Sequence, residues 1–90
     1  MPRLAIKIFG RVQGINFRSF IYKHAVNLNL VGWVKNAGDG TVEAIFEGEK
    51  DNLKRIIELC RRGSLFSKVD KIDEEWEKAA KEFDEFVIKY

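Results

Sequence analysis

An α+β fold of order β-α-β-β-α-β with a short final strand, its two helices on one face of an antiparallel-rich sheet, is predicted by three features of the sequence. Five short apolar stretches of strand length fall at 3–9, 31–36, 41–47, 65–76 and 86–90. Two other stretches, opening at Phe17 and just before Leu53, repeat their apolar residues every three or four positions instead. Glycine, asparagine and aspartate punctuate the boundaries, most clearly in KNAGDG at 35–40.

Leu4, Ala5, Ile6, Ile8 and Phe9 make the first strand. The first helix carries its apolar stripe at positions 17, 20, 21, 24, 25 and 28, where His24 is the exception. Asn29 tolerates left-handed backbone and suits the end of that helix. The second and third strands flank KNAGDG, whose glycines and Asp39 mark a hairpin tip. After Gly48, the spacing of Leu53, Ile56, Ile57 and Cys60 predicts the second helix, with Asp51 in its first turn and Arg61 and Arg62 before Gly63 in its last. The fourth strand, 65–76, loses its alternation between Val69 and Ile72, which predicts a bulge. EKAAKEFDE, 77–85, reads as solvated turn and FVIKY as the last strand. Trp33 and Trp76 are expected to anchor the sheet, and the charges at 70–85 to form a solvated rim. This order is the split-βαβ or ferredoxin-like arrangement, and no repeat or linker divides it: one domain over 1–90.

With 46% apolar and 33% charged residues the chain suits a folded rather than a disordered state. Its one cysteine, Cys60, rules out an internal disulfide and a cysteine zinc site. No apolar run reaches the length of a membrane span, and MPRLAIKIFG is too short and charged for a signal peptide, so a cytoplasmic protein without a membrane partner is expected. The net charge of +2 is uneven: residues 1–45 hold six Lys/Arg against Asp39 and Glu43, whereas 46–90 hold ten against twelve acids. A front half so poor in acids favours anions over hard cations, which need clustered carboxylates. Neither metal nor cofactor is expected.

One stretch concentrates the unusual residues. GRVQGINFRSF, 10–20, joins the first strand to the first helix with two glycines and two arginines. Glycine lets successive N–H groups converge on one point. The helix start adds unpaired N–H groups and the positive end of its dipole, and arginine adds a planar fork that fits phosphate or carboxylate. Together they describe a seat for a small anion. Arg18 lies off the apolar stripe where its own charge opposes the dipole, and a bound anion would reverse that sign; the alternative is a merely solvated side chain. Arg11 has the weaker case of the two. Phe17 belongs to the core stripe. Asn36 ends the second strand, either as a turn former or as a site residue if register brings it to the first turn. His24, on the core-facing stripe, and Cys60, on a buried helix face without a neighbouring base, read as packed residues rather than catalysts.

These residues resemble the acylphosphatase family. GRVQGINFR at 10–18 stands where the family shows the pattern G-[RH]-V-Q-G-V-x-F-R, with Ile15 at its second valine, and LVGWVKNAGDGTVEAIFEG at 30–48 where it shows G-[WY]-V-x-N followed by a D/R-G-[ST]-V turn. The likeness covers nearly the whole chain. It implies hydrolysis of a carboxyl-phosphate anhydride to carboxylate and inorganic phosphate, with phosphate also an inhibitor. By position it implies Arg18 as the substrate-binding arginine, Asn36 as the water-orienting asparagine, and the backbone of Gln13, Gly14, Ile15, Asn16, Phe17 and Arg18 as the phosphate cradle. A monomer is expected. Three departures stand out: Asn16 at a cradle position often small or aromatic, Gly63-Ser64-Leu65 in place of a frequent G-P-P, and Glu74 where a valine is usual.

The chemistry is coherent without the resemblance. An acyl phosphate leaves as a carboxylate whose conjugate acid has a pKa of about 4, so no general acid is required. A loose transition state can be served by positioning and charge alone. Two rivals differ in class. A nucleic-acid-binding module would need an RNP1-like aromatic run, which is missing; a non-catalytic anion-binding domain would not need both Arg18 and Asn36. The acylphosphatase-like part of a larger hydrogenase-maturation protein is disfavoured by the lack of following zinc-finger cysteines and the end at Tyr90.

Overall fold

The computed structural model describes residues 1–78 and 81–90. Its elements are β1 (Pro2–Arg11), α1 (Phe17–Asn27), β2 (Val31–Asn36), β3 (Val42–Glu47), α2 (Lys50–Arg62), β4 (Lys68–Lys78) and β5 (Phe86–Lys89). The strands form one sheet in the order β4-β1-β3-β2-β5, antiparallel throughout except for the β2–β5 pair. This is the expected α+β split-βαβ arrangement with a fifth strand on the β2 edge.

Side chains alternate across a strand, so each strand divides its residues between two environments. Leu4, Ile6 and Ile8 of β1, Val34 of β2, and Val42, Ala44 and Phe46 of β3 are buried on the face that the helices cover. They meet Phe17, Ile21 and Ala25 of α1 and Leu53, Ile56, Ile57 and Cys60 of α2. The opposite face is open, and its rows are set by register. One row aligns Trp33, Ile45 and Ala5; the next aligns Lys35, Glu43, Lys7 and Asp73. Neighbours of opposite sign across strands stabilise a solvated sheet, as in the Lys35–Glu43 pair at 3.9 Å. Towards the far end of this face, Arg3 Nε and Nη2 donate to the buried Glu47 carboxylate at 2.9 and 2.7 Å.

The ends of the elements have local causes. Asn29 is left-handed (φ 57), Leu30 N–H donates to Ala25 O at 2.9 Å and Asn29 N–H to Val26 O at 3.0 Å. That is the paired closure expected of a left-handed helix stop. The predicted bulge is present: Phe9 faces Lys71 but Gly10 faces Val69, leaving Asp70 unopposed. Gly10 (φ 134) is required there, because a Cβ would collide with the Lys68 carbonyl oxygen.

Four expectations need correction. The fourth strand begins at Lys68 rather than Leu65; Ser64–Ser67 is a turn, with Leu65 89% and Phe66 70% exposed. Glu77 and Lys78 belong to β4 and not to the following turn, while residues 79–80 of that predicted turn lie outside the described residues. Trp76 does not anchor the sheet. Its register partner is Leu4, yet it sits on the edge strand beyond full cover by α2 and stays 41% exposed. The third strand starts at Val42, one residue after Thr41. Charged residues along β4 protect an edge that would otherwise pair with another chain. Glu74 finds a partner on α2, accepting from Arg61 Nη2 at 2.6 Å, which gives this departure a structural role.

Antiparallel register brings four segments to one end of the sheet: the exit of β1, the hairpin between β2 and β3, the turn before β4, and the end of β5. The first of these leads into GRVQGINFRSF.

Candidate active site

Between β1 and α1 the chain makes an open arc, Val12–Asn16. Gly14 (φ 75) and Asn16 (φ 61, ψ 25) are left-handed, the kind of backbone that can gather successive N–H groups into an anion-binding nest. Asparagine is one of the few side chains that tolerate this conformation, so Asn16 suits the position for a backbone reason. It makes no side-chain cap to α1. The N–H groups of Gln13 to Ser19 have no protein acceptor among the described residues. The last three open α1, whose dipole adds positive potential at the same point.

A cavity of about 330 Å³ lies against this array. Gly14, Asn16, Phe17, Arg18 and Ser19 from the arc and the start of α1 line it together with Asn36 of β2, Ile88 of β5 and Tyr90. Asn36 and Arg18, far apart in sequence, therefore face one space. Residue 36 falls on the helix-facing side of β2 because it shares parity with the buried Val34, and the final position of the strand puts it beside the start of α1.

Arg18 is half-buried. Its Nη1 donates to Lys89 O at 3.1 Å and its guanidinium lies 4.7 Å from the centre of the Tyr90 ring. Among the described residues no carboxylate pairs with it. Asn36 Oδ1 is buried with no hydrogen-bond donor among the described residues. Buried polar atoms are nearly always paired, so this unpaired acceptor, in a residue that lines the cavity, is an exception that the fold alone does not account for.

Gln13 contributes in a way the sequence did not show. Its side-chain Nε2 donates to both Ala37 O and Thr41 O at 2.8 Å, clamping the arc to the hairpin that carries Asn36. The hairpin is tied a second time through Asp39, which accepts from Thr41 N–H at 3.1 Å, from Thr41 Oγ1 at 2.6 Å and from Lys7 Nζ at 2.8 Å. Lys7 first, then Thr41, hold the Asp39 carboxyl well below its usual range. Ile15 turns its side chain to the core and offers only its backbone. Thr41, Asp39, Lys7, Ser19 and Tyr90 were not singled out from sequence. Only the D-G-T hairpin run hinted at two of them.

The other polar candidates stay out of this space. His24 is half-buried on α1 with its ring 4.6 Å from Phe20, edge to face, and burial followed by Lys23 and Arg55 pushes its pKa down. Cys60 is buried, and burial pushes its thiol up to about 12. Among the described residues no group of three or more His, Cys, Asp or Glu side chains could hold a metal. Two further hollows, one on the open face by Trp33 and one by Lys54 and Trp76, are lined by none of the arc residues.

Comparison with known proteins converges on one group. The acylphosphatase family model matches residues 4–88. An acylphosphatase of Syntrophobacter fumaroxidans is 41% identical over 88 residues, covering 98% of this chain and 91% of the relative. The crystal structure of an acylphosphatase from Bacillus subtilis superposes with a TM-score of 0.96 at 39% identity, each chain fully covered. A full-length HypF, solved in a phosphate- and nucleotide-bound form, matches 99% of this chain with 12% of its own length, at 31% identity and a TM-score of 0.90.

Proposed function

The chain belongs to the acylphosphatase family and is an acylphosphatase; from that premise we propose that it works by seating the phosphoryl group in the Gln13–Arg18 arc and directing a water, held by Asn36, onto phosphorus. The observation that carries this reading is the shared cavity: N–H groups without a protein acceptor, the Arg18 guanidinium and Asn36, whose buried amide oxygen has no partner among the described residues, all belong to residues that line or adjoin it.

The roles follow from the chemistry. A phosphoryl group in flight gathers negative charge on its equatorial oxygens, and preorganised donors in a low-dielectric site stabilise it without reorganising. Backbone N–H groups of the arc and the start of α1 supply most of those donors. Arg18 supplies a full charge and a second N–H direction. Its tether to Lys89 and Tyr90 holds the guanidinium over the cavity mouth. Asn36 Oδ1 can accept a hydrogen bond from a water and so aim its lone pair at the phosphorus. An amide is too weak a base to deprotonate that water, whose other proton passes to a phosphoryl oxygen as the P–O bond forms. The acyl oxygen leaves with the electron pair of the broken bond as a carboxylate, needing no acid. His24 and Cys60 have no part in these steps.

Gln13 acts at one remove, holding the hairpin at the distance that keeps Asn36 across from the arc.

Hydrolysis of benzoyl phosphate in ¹⁸O-labelled water tests the proposal. Attack on phosphorus places the label in inorganic phosphate and leaves benzoate unlabelled. Label in benzoate would mean attack at the carbonyl carbon and would overturn the assignment of the arc as the phosphoryl seat.

A further inference from the structure

The turn between α2 and β4 has a shape that the hydrolytic site does not use. Ser64 N–H donates to Ser67 Oγ at 2.7 Å, Ser67 Oγ to Ser64 O at 3.1 Å, and Ser67 N–H to Ser64 O at 3.2 Å. These bonds close a tight turn whose two corner residues are Leu65 and Phe66, and both project into solvent, 89% and 70% exposed. A turn corner ordinarily carries glycine, asparagine or aspartate. Two large apolar side chains held outward by a rigid closure form the opposite of a solvated tip, and adjacent exposed apolar residues of this size mark an interaction surface.

Its surroundings indicate what it meets. Arg62 lies three residues before Leu65, Lys68 two after Phe66, and Arg11 is the register partner of Lys68. All three are exposed, and none has an ion-pair partner among the described residues. Arg61 and Lys71 nearby are engaged with Glu74 and Asp73. Two acids lie near these cations in the chain: Asp70 on the bulge, and Glu58, which pairs with Arg55, one helical turn before Arg62. An apolar tip above a collar of unpaired cations is complementary to a lipid surface with anionic headgroups: the tip enters the acyl boundary and the collar meets the headgroups.

We propose that the Leu65–Phe66 turn docks this protein reversibly on anionic lipid bilayers. The sequence alone gave the contrary expectation of no membrane partner, because no apolar run reaches the length of a membrane span, a test that does not register a two-residue surface tip. Docking by this turn brings the end of the sheet that carries the arc and the hairpin towards the bilayer, since all of these segments leave the sheet at one end. One turn with three cations gives weak, salt-sensitive binding, not permanent anchoring.

The test is co-sedimentation of the full chain with sucrose-loaded vesicles of phosphatidylcholine alone or mixed with phosphatidylglycerol. Binding is expected to the mixed vesicles only, and to weaken as salt is raised. Leu65→Ser with Phe66→Ser should reduce it roughly tenfold or more, and Arg62→Gln with Lys68→Gln roughly tenfold. The exposed positions of all four residues predict unchanged thermal melting and unchanged benzoyl phosphate turnover in solution, so a lost interaction would not be a lost fold. Absence of wild-type binding, equal binding to both vesicle types, or binding indifferent to Leu65→Ser with Phe66→Ser would overturn the proposal. So would a concentration-dependent dimer that these two substitutions abolish without any vesicle binding, which would assign the turn to a second copy of the chain.

Discussion

Replacing Arg18 by alanine separates catalysis from folding more cleanly than any other change at this site. In the folded chain Arg18 makes one hydrogen bond to a backbone carbonyl, 3.1 Å to Lys89 O, and one contact with the exposed Tyr90 ring. A partly exposed hydrogen bond contributes about 0.5–1.5 kcal/mol and a solvated cation–π contact about 0.5–1 kcal/mol at most. Their loss should lower the melting temperature by roughly 4–20 °C in a chain of this size, leaving the protein folded at assay temperature. Against that stands the loss of the one charged side chain that lines the cavity. Removing a preorganised donor from a charge-developing site costs on the order of 10²- to 10³-fold in kcat, about 2.7–4 kcal/mol. Arg18→Lys should recover little of it, because an ammonium cannot reproduce the fork. The assay is benzoyl phosphate hydrolysis followed alongside thermal melting by circular dichroism. An alanine variant that melts near the wild-type temperature and retains kcat/KM within about tenfold would refute the reasoning.

Three further outcomes follow from the same structure. Arg3→Met removes two charge-assisted hydrogen bonds from the buried Glu47 carboxylate and should lower the melting temperature by roughly 10 °C or more; adding Glu47→Leu should restore most of it, and a single variant as stable as wild type would contradict the role of the pair. His24 has its pKa lowered, chiefly by burial, so the unfolded chain binds more protons between its ordinary value near 6.5 and the lower folded value. Stability should be full above about pH 7 and decline as pH falls through that window, with the decline absent in His24→Gln. Inorganic phosphate should inhibit competitively and EDTA should leave turnover unchanged; phosphate inhibition that excess substrate fails to relieve would place the anion seat elsewhere.

Much of the fold was legible because its signals are local. The left-handed stop at Asn29, the stripe of α2 and the bulge beside Asp70 all follow from residues within a few positions of the feature. What failed was either at an edge or across the sheet. The start of β4 was misread because Leu65 and Phe66 satisfy an apolar pattern while the Ser64–Ser67 hydrogen bonds, which pull them out of the strand, do not show in composition. Trp76 looked like an anchor because residue type says nothing of whether a helix covers the edge strand. At the site, the residue types of the arc and of Arg18 were sufficient to indicate an anion seat. The approach of Asn36 to Arg18 was not, since it depends on register between strands and on where α1 begins. The double grip of Gln13 on Ala37 and Thr41 is long-range for the same reason, so a residue read for its backbone also has a side-chain task.

Asn36 delivers the water while the arc holds the phosphoryl group, two tasks divided between residues that line one cavity. Measuring kcat together with the phosphate inhibition constant for Asn36→Ala tests that division directly. The account predicts a fall in kcat on the order of 10²-fold or more, with the phosphate inhibition constant nearly unchanged because every arc donor remains. Asn36→Asp, which keeps a turn-compatible side chain but places a negative charge in the cavity, should not restore turnover. A folded Asn36→Ala protein with near-wild-type kcat, or one whose phosphate inhibition weakens in step with its turnover, would contradict the account.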